Sequence, residues 1–228
     1  MATVGVLAAG VAHEINNPLT SILGFADGLK RRLPKLESRV QPELLEDMQE
    51  YVHTIREEGK RCQEIVQNLL TFSRPKNSLF GRVDLRRLVI DCLKIIHYRL
   101  KKCPHISVNL DLDVDDTCIK GDEAQLKQVA LNLLTNALDA LGGQGVLSIR
   151  IKREQDHLLT LEVEDTGPGI PQEYLDRIFD PFFTTKPVGQ GTGIGLSTCY
   201  NIVQGHGGRI YVCSEPERGS SFRILFPR

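Results

Sequence analysis

Apolar residues recur along the first part of the chain at helical spacing. Ala8, Ile15, Ile22 and Leu29 share one heptad position, and Val4, Val11, Pro18 and Phe25 share the other, which predicts one long amphipathic helix. A second stretch repeats the pattern, with Leu45, Val52, Gly59 and Val66 on one row and Met48, Ile55, Cys62 and Leu69 on the other. Between them, RLPKLESRVQPE is polar and carries Pro34 and Pro42, which suits a connection between antiparallel helices. Residues 1–75 are therefore expected to form a helical hairpin. Two such helices alone leave an unburied stripe, and two hairpins paired as a four-helix bundle hide it, so a homodimer is expected.

After FSRPKNSLFGR, where Pro75 and Gly81 mark a linker, the periodicity changes. Leu85, Leu88, Val89, Leu93 and Ile96 predict a helix from Asp84 to about Arg99, followed by the alternating strand HISVNLDL. Next come a helix over EAQLKQVALNLLTNALDAL, strands over GVLSIRIKR and LLTLEVED, and a glycine-rich region. A helix over GLSTCYNIVQGH then leads into strands GRIYVCSE and SSFRILFP, joined by a turn at Glu217–Gly219. Helices and strands alternate, with hairpin spacing at the end. Residues 81–228 are thus expected to form an α/β sandwich with a mixed sheet, not a doubly wound parallel one.

Composition narrows the function classes. The chain has 228 residues, 41% of them hydrophobic, which fills one large or two modest cores. A formal charge of -1 removes the bulk electrostatic argument for a nucleic-acid binder. Cysteines 62, 92, 103, 118, 199 and 213 show neither CxxC nor zinc-ligand spacing, so they are expected to be small hydrophobes in a reducing compartment. No apolar run approaches the roughly 18 to 20 residues of a membrane span, and the first residues lack the charged start and long apolar stretch typical of a signal peptide. A cytoplasmic location is expected.

The stretch AHEINNPLTSI places mediocre and bad helix formers in the middle of the first helix. By the heptad frame His13 faces outward. A lone helix histidine is most often a solvated surface group, but Glu14 is suited to hold its Nδ1 proton and leave Nε2 as a nucleophile. Asn17 lies one turn on, and Pro18, lacking an N–H, is expected to kink the helix. Two glycine clusters, DTGPGI and GQGTGIGLS, let backbone N–H groups approach phosphate oxygens, and the second opens directly into a helix. Neither fits a Walker A loop or a simple strand-to-helix dinucleotide unit.

Taken in order, these segments resemble the sensor histidine kinases of two-component systems. AAGVAHEINNPLTSI resembles their phosphoacceptor box, NLLTNALDAL their N box, and DTGPGI, IFDPFFTTK and GTGIGLS their G1, F and G2 boxes. The likeness spans nearly the whole chain. It implies a dimerisation and histidine-phosphotransfer hairpin of HisKA type, joined to an ATP-binding domain of the Bergerat or GHKL type. With the apolar seam running from the first residues, it also implies an upstream sensor domain and any membrane attachment, left off this catalytic core.

The resemblance makes His13 the phosphoacceptor and Glu14 its tuning partner. It makes Asn136 the Mg²⁺ ligand, with Asn132 on the same phosphate side, and Asp165 the acceptor from the adenine amine. Gly167 and Gly169 are expected to let the backbone pass close to the base. Gly191, Thr192, Gly193, Gly195 and Leu196 fall among the nucleotide-binding residues, with the three glycines cradling phosphates. Thr184, Thr185 and Lys186 are read either as contacts to the β and γ phosphates or as solvated lid residues. Phe182 and Phe183 are read as lid anchors, and His206 in GHGG as a helix-end or packing residue. His53, His97, His105 and His157 carry no motif. The implied activity is autophosphorylation of His13 from Mg-ATP and transfer to an aspartate of a response-regulator receiver domain. Asn17 sits where the family orients water for dephosphorylating that partner, so phosphatase activity is expected too. Competing readings are an ATP-binding conformational module of the chaperone or repair class and a catalytically silent dimeric scaffold.

Overall fold

The computed structural model describes residues 2–36, 41–73, 80–112, 114–155, 157–186 and 191–228. They fall into two compact units. In the first, α1 (Ala2–Arg32) is followed by a 3₁₀ turn (Leu33–Leu36) and α2 (Pro42–Ser73). Lys30, Arg31 and Arg32 close α1 where its carbonyl ends favour cations. Pro42 opens α2, where a missing N–H costs nothing. The helix continues through Pro18.

Ala26 and Leu33 pack with Leu45 and Val52, backed by Met48, and Arg56 pairs with Asp27 at 2.6 Å. The α1 heptad seam is a different face. Ile15, Ile22, Phe25 and Leu29 are exposed in the single chain, Phe25 by 76%. The α2 rows divide likewise: Leu45, Val52 and Val66 are buried, whereas Ile55 is exposed, as are Leu44 and Tyr51.

The second unit contains β1 (Gly81–Asp84), α3 (Leu85–Lys101), β2 (His105–Asp111), β3 (Cys118–Gly121), α4 (Glu123–Leu141), β4 (Gln144–Gln155), β5 (Leu158–Asp165), α5 (Gln172–Leu175), α6 (Gly195–Gly205), β6 (Arg209–Glu215) and β7 (Gly219–Pro227). Five strands form one sheet in the order β2-β4-β5-β7-β6. The β2–β4 pair is parallel and the others antiparallel, so the sheet is mixed. A separate antiparallel ribbon joins β1 to β3.

Alternate residues of the central strands turn one face inward. Leu147, Ile149 and Ile151 of β4, Leu159, Leu161 and Val163 of β5, and Phe222, Ile224 and Phe226 of β7 pack in one cluster with residues of α3, α4 and α6. Caps set the helix starts. The Asp84 side chain accepts from the amides of Arg86 and Arg87, and Asp122 from those of Ala124 and Gln125. Gly142 ends α4 in the left-handed conformation.

Cysteine usage is mixed. Cys92 and Cys199 are buried, with burial pushing their thiols up to about 11 and about 12, whereas Cys62 and Cys213 are exposed. All six are free thiols, and Cys103 and Cys118 are half-buried. Among the described residues, no helix is long and apolar enough to cross a membrane.

On the outer face of the sheet, Arg150, Glu162 and Arg223 stand directly opposite one another on β4, β5 and β7. Glu162 accepts from Arg223 at 3.1 Å, Ser221 at 3.0 Å and Arg150 at 3.2 Å, with its side chain only 9% exposed. Burial pushes its carboxyl up, but the bonds from Arg223, Ser221 and Arg150 outweigh that and hold it below the usual range. The contribution to stability is therefore complete above the unfolded-state pKa and disappears as pH falls through the folded one. Glu162→Gln is expected to lower the unfolding free energy by about 1–2 kcal/mol at neutral pH. Urea titrations should show that gap closing as the pH is taken below the carboxylate range.

Candidate active site

Asp165 ends the inward-facing row of β5, so a carboxylate follows Leu159, Leu161 and Val163 into the core. It is 4% exposed. Gly167 N donates to its Oδ1 at 2.9 Å, and the Ser220 amide also donates to the carboxylate. Burial pushes its pKa up, the two amides pull it down, and neighbouring Glu164 adds to the upward push; the net is a raised value. A carboxylate offers about four acceptor positions, so two amides leave capacity for a further donor.

The face of α4 next to this point carries the asparagines. Asn132 donates from Nδ2 to the Gly195 carbonyl at 3.2 Å, at the start of α6. Asn136 lies one turn further along α4 and is half-buried. Ile194, at the N-cap of α6, provides no side-chain cap. The first amides of that helix thus have no side-chain acceptor from their own cap, the arrangement that favours anions. Ser197 turns its hydroxyl back to the Ile194 carbonyl at 2.8 Å.

Each glycine meets something different. A Cβ at Gly195 would meet only Asn132, at 3.8 Å, so protein packing does not demand glycine there. At Gly193, with φ +65°, a Cβ would overlap the Phe182 backbone. Gly169 and Gly219 lie at φ +72° and +93° and let the G1 loop meet the β6–β7 turn backbone to backbone. Side chains there would overlap the Glu215 and Asp165 carbonyls. Gly167 sits against the Ala140 carbonyl of α4, and Gly191 against Thr184 and Lys186.

Ring contacts hold the residues of the F-box stretch. Phe183 packs against Tyr174 with ring centres 5.6 Å apart, and Arg177 lies over it at 4.7 Å. Phe179 meets Tyr200 of α6 at 5.7 Å. Phe182 is not a packed anchor as expected: the residue is 62% exposed. Its φ of +69° turns the side chain outward, and its backbone N–H holds the Gly193 carbonyl at 2.9 Å instead. Lys186, Thr192 and Leu196 are half-buried, and Thr184 Oγ1 accepts from the Lys186 amide at 3.2 Å. The body of the α/β unit omits Thr184–Thr192.

His13, Glu14 and Asn17 fall on α1, but their side chains lie outside the described residues. Beside Pro18, the Thr20 hydroxyl donates to the Asn16 carbonyl at 2.8 Å. His206 is buried at the C-cap of α6. Its Nε2 accepts from the Asp122 amide at 3.0 Å, which requires the proton on Nδ1, and Nδ1 donates to the Ile202 carbonyl at 2.7 Å. It ties the end of α6 to the start of α4, a packing role. His53, His97, His105 and His157 are exposed. No group of three or more His, Cys, Asp or Glu able to hold a metal ion occurs among the described residues. Sequence reasoning missed Ser220, which stands opposite Asp165 across the sheet, and Ser214, which stands opposite Ser220; only that register identifies them.

Two families match in succession. Residues 4–78 match the His Kinase A (phospho-acceptor) domain, and residues 121–228 match the histidine kinase-, DNA gyrase B- and HSP90-like ATPases. The catalytic domain of the histidine kinase ThkA is 32% identical and superposes with a TM-score of 0.58, over 65% of this chain and 97% of that one. The chain belongs to the sensor histidine kinases. Sporulation kinase A of Bacillus subtilis is 35% identical over 229 residues, and the sensor histidine kinase ZraS of Escherichia coli 36%; both matches cover all of this chain but 35% and 46% of those proteins. This histidine kinase chain thus spans between a third and a half of the length of these two relatives. ThkA in complex with the response regulator TrrA is 31% identical, with a TM-score of 0.68 over 98% of this chain and 61% of that one. Full-length ShkA in complex with AMPPNP has a TM-score of 0.77 over 97% of this chain and 45% of that one, at 24% identity, a likeness of fold.

A carboxyl whose folded pKa is raised stabilises most when protonated, and that contribution is lost as pH rises through the folded value. The ionised form of Asp165 therefore costs stability. Asp165→Asn, which keeps an oxygen for the Gly167 and Ser220 amides, is expected to raise the melting temperature by a few degrees at pH 7. Calorimetry across pH should show the advantage shrinking on acidification.

Proposed function

We propose that this chain is an autokinase core that moves the γ-phosphoryl of Mg-ATP to His13 and then to an aspartate of a response-regulator receiver domain. The observation that carries it is the buried, amide-held Asp165 together with the uncapped start of α6 and the two α4 asparagines. That set offers a base acceptor, a phosphate cradle and hard oxygen donors in one unit. Residues 81–228 are read as the ATP-binding domain and residues 1–75 as the phosphotransfer hairpin. The exposed stripe of Ile15, Ile22, Phe25 and Leu29 supports a homodimer in which two hairpins bury it. Work on ATP and a receiver domain puts this core in the cytoplasm.

In this reading Asp165 accepts from the adenine amine, with Gly167 and Gly169 beside the base. Asn132, Lys186, Gly191, Thr192, Gly193, Gly195 and Leu196 hold the phosphate side, and the α6 amides add positive potential. Asn136 would supply an oxygen to Mg²⁺, and the bound ion would neutralise phosphate charge. The Nε2 lone pair of His13 forms the N–P bond as the bond to the ADP oxygen breaks, and Glu14 takes up the positive charge that develops at Nδ1–H. Asn17 orients the water that hydrolyses the phosphorylated receiver.

Incubation with γ-labelled ATP and Mg²⁺ tests the reading. Acid-labile label is expected on the protein and is expected to vanish in His13→Gln; nucleotide binding without label would turn the reading toward a conformational module or a silent scaffold. Asn17→Ala is expected to keep autophosphorylation within about twofold while slowing receiver dephosphorylation by about tenfold or more. A severe loss of autophosphorylation would remove Asn17 from that role.

A further inference from the structure

The loop after Asp165 is held by the turn between β6 and β7. Glu217 N donates to the Pro168 carbonyl at 2.7 Å. Ile170 N donates to Ser214 Oγ at 2.8 Å, and Ser214 Oγ donates to the Gly219 carbonyl at 2.8 Å. Ser220 Oγ lies 3.0 Å from the same hydroxyl. The pairing register puts these groups on one rung, with Asp165 opposite Ser220 on β7 and Ser220 opposite Ser214 on β6. The Ser220 amide donates to the Asp165 carboxylate. One hydroxyl on the edge strand thus fastens the far end of the loop to the turn whose amide holds the carboxylate.

We propose that Ser214 is a positioning residue for base recognition: its hydroxyl locks the Asp165–Ile170 loop against the β6–β7 turn and so fixes the direction of the Asp165 carboxylate. This rests on the reading that Asp165 accepts from the adenine amine. The chemistry selects a small hydroxyl. It must accept from one amide and donate to one carbonyl in a half-buried space, which a serine does and an alanine or a longer carboxamide does not. Alanine leaves the Ile170 amide and Gly219 carbonyl without that partner, and the loop regains freedom at the end remote from Gly167. The consequence is specific to the base. A carboxylate no longer held in one direction loses most toward a ligand that presents an amine to it, and least toward one that does not.

The test compares affinities for ATP and for purine riboside triphosphate, which lacks the 6-amino group, on the whole chain by competition against a fluorescent nucleotide. Ser214→Ala is expected to reduce the preference for ATP by about five- to tenfold, chiefly by weakening ATP. Ser214→Thr is expected to restore it, a rescue that loss of packing alone would not give. Asp165→Asn, which turns an NH₂ toward the base, is expected to abolish the preference. If Asp165→Asn abolishes it while Ser214→Ala keeps it in full, the role of Ser214 is overturned and that of Asp165 stands. If Asp165→Asn also keeps it, both fall. Should the alanine variant fail to fold, Ser214→Cys fills the same space with a weaker donor and acceptor, and there too a reduced preference supports the role and an unchanged one overturns it.

Discussion

Holding a carboxylate inside the end of an apolar strand is the constraint from which much of the α/β unit follows. An unpaired buried charge is costly, and the cost falls only when hydrogen-bond donors reach it. Here the donors are backbone amides, from Gly167 just past the strand and from Ser220 on β7. Backbone can come that close only without side chains in between, so Gly219 stands where a Cβ would overlap the Asp165 carbonyl. Gly169 meets the Glu215 carbonyl from the other side. The β6–β7 hairpin is therefore more than the edge of a sheet, because its backbone holds the Asp165 carboxylate and the loop that follows it.

Long amphipathic elements were legible in the sequence and short or remote features were not. The helix over residues 123–141 and the strand over 158–165 match the periodicity end to end, because each buries one continuous face in a single core. The four-residue strands β1 and β3 were not read, since two turns of alternation at most give no period to detect. In α1 one helix carries two apolar faces. Ala26 packs inward while the regular heptad residues Ile15, Ile22 and Leu29 lie outward, so a strong period identified a surface but not what covers it. The motif glycines were legible as a group. The reason for each was not, because what a missing Cβ would meet lies far away in the chain, as Gly219 does from Asp165. Ser214 carried no local signal at all, being one serine at the end of an alternating strand.

Backbone contacts hold the residues that flank the start of α6 in a similar way. Phe183 is clamped between Tyr174 and Arg177, and Gly193 leads straight into α6. Phe182 and Gly193 join through one backbone bond with both residues in the left-handed region. For a phenylalanine that conformation costs on the order of 1 kcal/mol and persists only where its surroundings over-determine it. Here the surroundings are the clamped Phe183 next door and a glycine that alone tolerates the contact. The strain thus sits at Phe182, beside the start of α6, while Asp165, Ser220 and Ser214 share one rung of the hydrogen-bonded sheet, where the backbone is regular.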